Sequence, residues 1–114
     1  MNISSSKAGV LLCALCSLSA CATVGNETLS SPLHQKKATE LLMAMDEGQE
    51  PGCIGRTVVK KIFVELYKPA PGEQDEIETW TIDRCGKLIN YFVTLSTVQG
   101  SEEKLLQVVR QPEQ

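Results

Sequence analysis

The chain has little of what most enzymatic or ligand-binding sites are built from. Among 114 residues there is one His, one Trp, two Tyr and two Phe. A single His34 rules out a histidine pair, and zinc needs more Cys or His partners than it offers. No Ser or Cys stands in a pattern that brings a base beside a nucleophile. There is no Gly-rich phosphate loop. Eleven basic residues face fourteen acidic ones, so the basic stripe that nucleic acid requires is missing. Long apolar runs are missing too. Ala8 to Leu18 is 11 residues, against roughly 20 needed to cross the hydrocarbon core.

That short run is informative for what surrounds it. Lys7 and the amino terminus supply positive charge before it, and small residues come after it. This is the order of an export signal. An ordinary secretory signal would be cut after a small-x-small pattern such as Ser17-Leu18-Ser19. The sequence Leu18-Ser19-Ala20-Cys21 resembles instead the lipobox of Gram-negative bacterial lipoproteins. That resemblance implies removal of residues 1–20 as a signal peptide and acylation of Cys21 as the first mature residue. It implies a membrane partner held through the lipid on Cys21. Ala22 comes after the cysteine, where inner-membrane members often carry Asp, so the implied site is the periplasmic face of the outer membrane. Cys13 and Cys16 form a C-x-x-C inside the apolar run and would leave with the signal.

The chain from Cys21 to Gln114 is 94 residues, enough for one small domain with one core. Without Lys7 it carries ten basic against fourteen acidic residues. Cys53 and Cys85 remain. An even pair in a small exported domain reads as a disulfide. The loop it closes, about 33 residues, is worth roughly 3–4 kcal/mol in the chain-entropy model. A dithiol redox pair would normally be close in sequence, and half a zinc site lacks partners.

Residues 21–30 are small, polar and without periodicity, and read as a tether; residues 31–114 form the domain. Ser31 is a good N-cap and Pro32 fits the first helical position. Ala38, Leu41, Leu42 and Met45 then fall on one helical face, with Gly48 as a stop. Lys36 and Lys37 early, Asp46 and Glu47 late, oppose the helix dipole, so the helix depends on packing. Met43 and Met45 read as core filler, and His34 as a solvated residue at the helix start.

Arg56 to Lys68 is rich in β-formers. Val58, Ile62, Val64 and Leu66 point one way, towards the helix; Lys61, Phe63, Glu65 and Tyr67 point the other. Prolines in Pro69-Ala70-Pro71-Gly72 end that strand. Glu76 to Asp83 is a second strand, with apolar residues at both parities. Arg84-Cys85-Gly86-Lys87 is a tight turn. Leu88 to Thr97 is a third strand with Ile89, Tyr91, Val93 and Leu95 on one face. Lys104 to Arg110 reads as a fourth strand, or as a helical turn or two. The expected fold is α+β: one N-terminal helix packed on a four-stranded antiparallel meander, with one disulfide.

Glu73, Asp75, Glu76 and Glu78 read as a solvated acidic loop, since a 94-residue domain has little room for a glycosidase groove. Trp80 to Lys87 is the most distinctive stretch. Trp80, Arg84 and Tyr91 are residue types that dominate binding hot spots. Alternatively, Trp80 covers the helix or the disulfide while Asp83 and Arg84 shape the turn. The longer stretch from Val64 to Val93 is similar to small proteobacterial envelope proteins in which a strand ending Trp-x-x-Asp-x-Cys-Gly-Lys precedes a Tyr-containing strand; that resemblance carries no activity. The expectation is a non-enzymatic binding or structural module with an envelope-protein partner and neither cofactor nor metal. An exposed edge strand, Lys104–Arg110, would pair with the partner. The alternative is an inhibitor of an envelope-attacking hydrolase such as lysozyme.

Overall fold

The computed structural model describes residues 19–98 and 100–112. Residues 1–18 of the expected signal, with Cys13 and Cys16, lie outside these. The elements in chain order are β1 (Ser19–Val24), α1 (Pro32–Gln49), β2 (Arg56–Tyr67), β3 (Asp75–Arg84), β4 (Lys87–Thr97) and β5 (Lys104–Arg110). The strands form one antiparallel sheet in the order β1-β5-β4-β3-β2. β2 to β5 is the expected meander, and Lys104–Arg110 is a strand. The helix packs on one face of this sheet, an α+β arrangement.

The sheet has five strands, not four. The extra one comes from the segment read as signal boundary and tether. Small residues made it look featureless, yet Ala20, Ala22 and Val24 alternate against Val108, Leu106 and Lys104 of β5. Small side chains suit that position because the helix passes close over β1 and β5. The rest of the tether is also tied down. Leu29 is fully buried in the core, its N–H donates to Glu76 Oε1 at 3.2 Å, and its carbonyl accepts from Gln35 Nε2 at 2.9 Å. Burying a leucine contributes about 1.5–3 kcal/mol, which offsets part of the cost of ordering the segment.

The helix begins where Ser31 and Pro32 placed it. The Ser31 hydroxyl accepts from the His34 N–H at 3.2 Å. Its buried stripe is His34, Ala38, Leu42 and Asp46, spaced by four, with Leu41, Met43 and Met45 partly buried beside it. His34 is therefore not solvated. It is 2% exposed, and its Nδ1 lies 3.0 Å from the Thr28 carbonyl. One turn back from Ala38 lies on the apolar stripe.

On the sheet, β3 turns Glu78, Trp80 and Ile82 towards the helix. They pair with Val93, Tyr91 and Ile89 of β4, whose expected inward face is buried. In β2 the expected faces are not kept. Register shifts fall between Val58 and Lys60 and between Phe63 and Glu65. Each inserts one residue and reverses the parity of the residues beyond it. Lys61, Phe63 and Leu66 share the helix-bearing face with Trp80, Glu78 and Glu76; Lys60, Ile62, Glu65 and Tyr67 share the other.

Cys53 and Cys85 are joined, with a Cα separation of 6.0 Å. Cys85 and Gly86 have φ of 51° and 92°, the positive pair that a two-residue type I′ hairpin turn requires. The Asp83 carboxylate closes the turn by accepting the Gly86 N–H at 2.6 Å.

Candidate functional site

Two places hold what chemistry the domain offers: a closed ionic cluster and an open strand edge. The cluster forms where the last turn of α1 meets the sheet. Asp46 is fully buried. Its Oδ2 accepts from Arg56 Nε at 2.7 Å and from Arg84 Nε at 3.0 Å. Its Oδ1 accepts from Arg84 Nη2 at 2.6 Å and from the Tyr91 hydroxyl. Arg56 also donates to the carbonyls of Cys53, Glu50 and Asp46. One carboxylate thus joins α1, β2, β3 and β4, and its arginines reach the backbone beside the disulfide. This accounts for an acid at the wrong end of a helix dipole: the two guanidiniums outweigh the helix carbonyls.

Burial pushes the Asp46 carboxyl up, but hydrogen bonds from Arg84, Tyr91 and Arg56 outweigh it and bring the pKa to about 2. Tyr91 is raised, first by burial and then by its bond to Asp46. At neutral pH the acid stays ionised and the phenol protonated. Neither changes its protonation state near neutral pH, and neither reaches solvent. The cluster can hold a fold together; it is not placed to do acid–base work.

This decides the residues singled out from sequence. Trp80 and Tyr91 are fully buried and the Arg84 side chain is 10% exposed. They contact the domain's own interior. Trp80 Nε1 donates to Glu78 at 2.7 Å, and Lys61 Nζ lies 4.2 Å from its ring centroid. The acidic group divides likewise: Glu76 and Glu78 serve Leu29 and Trp80 rather than forming a solvated loop. Asp46 and Arg56 were missed, although Asp46 continues the four-residue spacing of Ala38 and Leu42. Among the described residues, no three His, Cys, Asp or Glu side chains converge to hold a metal.

Cys21 sits in β1 opposite Gln107, on the helix-free face. It is buried and disulfide-bonded. Acylation needs that sulfur released, so the two states exclude each other.

The open edge is not the strand expected. Lys104–Arg110 is paired on both sides, by β1 and β4. Among the described residues, the bare edge is β2, which pairs only with β3. The helix lies over β1 and β5 and reaches β2 through Arg56–Asp46 and through Lys61 Nζ, which donates to Gln35 Oε1 at 2.6 Å, leaving Ile62 to Tyr67 exposed. Val59, Ile62, Phe63, Val64, Leu66 and Tyr67 are each about half exposed, Phe63 at 60%. Their exposed area is on the order of 600 Å² in all, divided between the two faces of the strand, so each face carries a patch of ordinary size for a monomer. The sequence signal was there: Ile62-Phe63-Val64 and Leu66-Tyr67 are apolar at both parities, too much for a strand buried on one face.

Compared with known proteins, the chain matches no family model, no curated protein and no solved structure.

Proposed function

We propose that this protein is a lipid-anchored, non-enzymatic binding module of the bacterial envelope, held on the periplasmic face of the outer membrane through Cys21. The observation that carries the binding role is the bare apolar edge of β2. An edge strand presents a row of unpaired N–H and C=O groups, and natural proteins shorten or charge it when nothing is to pair there. The first half of β2 is managed in this way, with Arg56 and Val58 turned inward and Lys60, Lys61 and a register shift on the strand, but from Ile62 to Tyr67 only Glu65 is charged and the apolar side chains stay exposed on both faces. Main-chain pairing along such an edge gives affinity, and alternate side chains give selectivity. The anchoring role rests on Lys7, the short apolar run and Leu18-Ser19-Ala20-Cys21. A lysozyme-inhibiting role has no observation of its own to favour it.

Mass spectrometry of the amino end of protein extracted from membranes tests the anchor. The expected species begins at Cys21 and carries acyl chains; a Cys21 that is unmodified, or still joined to Ala20, defeats it. Site-directed crosslinking along β2 in intact cells tests the binding role. Capture of a discrete protein neighbour is expected at Phe63 and Leu66, and its absence along the whole strand refutes it.

A further inference from the structure

We infer that the partner strand is β2 of a second copy of this chain, paired antiparallel about a two-fold axis between Phe63 and Val64. This rests on the binding reading above and names its occupant. The symmetry of β2 itself points to it. On the helix-free face β2 presents Lys60, Ile62, Glu65 and Tyr67; on the helix-bearing face it presents Lys61, Phe63 and Leu66, with the inserted Val64 between. Each set is centred on the same point. Turned about that point, Lys60 faces Tyr67 of the other copy and Ile62 faces Glu65. Lys61 faces Leu66, and Phe63 faces Val64.

Charge fits this pairing and not its alternative. Lys60 of each copy falls diagonally beside Glu65 of the other, twice per dimer. Diagonal neighbours on one face are within reach of long side chains. A parallel in-register pair would instead stack lysine on lysine and glutamate on glutamate. The apolar residues fit as well. Phe63 and Leu66 of both copies share the helix-bearing face at a part of the strand that is exposed, with the inserted Val64 beside the axis.

The axis stands perpendicular to the sheet, so like faces stay on one side. Both Cys21 residues then lie at the outer strands of a ten-stranded sheet, facing the same way. That is the arrangement two anchors in one membrane require. An isologous contact of this kind closes on itself and does not propagate. It buries on the order of 1,000 Å², just under the usual range for a stable complex. Confinement on a membrane raises the effective concentration and supplies what the area lacks.

The test uses the full chain in its own membranes. Phe63→Cys, treated with a short bismaleimide, is expected to give a crosslinked dimer. Leu33→Cys, equally exposed on the helix, is the control and is expected to give none. Dimer extracted in mild detergent and counted by native mass spectrometry needs no new cysteine. There Glu65→Lys is expected to lower association roughly tenfold by setting like charges together. Lys60→Glu with Glu65→Lys is expected to restore it. Equal crosslinking at positions 63 and 33, capture of a different protein at 63, or a charge swap that fails to rescue each overturns the inference. Acyl chains on Cys21 are read separately in the same samples. An acylated monomer refutes self-pairing and leaves the anchor standing; an unacylated dimer does the reverse.

Discussion

Asp46→Asn is the sharpest perturbation the structure offers. The change is nearly isosteric and deletes one charge. It leaves Arg56 and Arg84, with side chains 7% and 10% exposed, cationic and without a counter-ion. Removing one partner of a buried pair costs about 3–5 kcal/mol, mostly from the charge left behind. A small domain has a total stability of about 5–15 kcal/mol. At roughly 4–8 °C per kcal/mol for this size, the melting temperature should fall by more than about 12 °C. The same loss should appear in the urea midpoint.

A second variant separates the charge effect from simple packing. Replacing the buried group with apolar residues, as Arg56→Met, Asp46→Leu and Arg84→Met together, removes every stranded charge. Such replacements of buried ion networks are often neutral or stabilising. The triple variant should therefore be more stable than Asp46→Asn alone, by about 2 kcal/mol or more. A cost below about 1 kcal/mol for Asp46→Asn, or a triple variant no better than the single, would refute the reasoning.

Acid unfolding depends on the same group. A carboxyl lowered from 3.8 to about 2 in the folded state binds fewer protons there than in the unfolded chain. Its contribution, about 2 kcal/mol, is full above roughly pH 5 and disappears as pH falls towards 2. Chemical denaturation at stepped pH should show this loss, and Asp46→Asn should flatten it. Tyr91→Phe removes one bond to a charged acceptor and should cost about 1.5–3 kcal/mol, read by urea titration. Cys53→Ser with Cys85→Ser should cost about 3–4 kcal/mol. That cost should fall short of additivity with Asp46→Asn, because Arg56 joins the Cys53 carbonyl to the same acid. Leu42→Ala, at the centre of the helix stripe, should cost about 2–5 kcal/mol.

Much of the domain was legible because its signals are local. Ser31-Pro32 placed the helix start, and the alternation of Ile89, Tyr91, Val93 and Leu95 placed the buried face of β4. The Cys53–Cys85 pairing came from counting. The features that were not legible depend on the third dimension. The small residues from Ala20 to Val24 show no amphipathic contrast, and become a strand only because β5 offers an edge under the helix. The reversals of face in β2 come from two inserted residues that no period-2 reading detects. Asp46 looked like a misplaced charge until two arginines, 10 and 38 residues away, came to face it.

The closed cluster and the bare edge share one cause, the position of the helix. An 18-residue helix covers only part of a five-stranded sheet. Drawn over β1 and β5 by the small side chains of Ala20 and Ala22, it cannot also cover β2. Its last turn still reaches the other strands, but through long polar side chains: Arg56 and Arg84 span the gap and Asp46 ties them down. Ionic bonds replace apolar contact where the helix is too distant to pack. Farther along β2 the last tie to the helix is Lys61 on Gln35, and the residues from Ile62 to Tyr67 are exposed. A substitution that shifts the helix therefore acts on both. Ala22→Leu, which puts a large side chain beneath the helix on β1, should push it outward. Hydrogen exchange should then quicken at the Arg56 and Arg84 amides, while β4 and β5 amides at Val93 and Leu106 stay protected. Uniform loosening of the sheet, or none, would mean that β1 does not set the position of the helix.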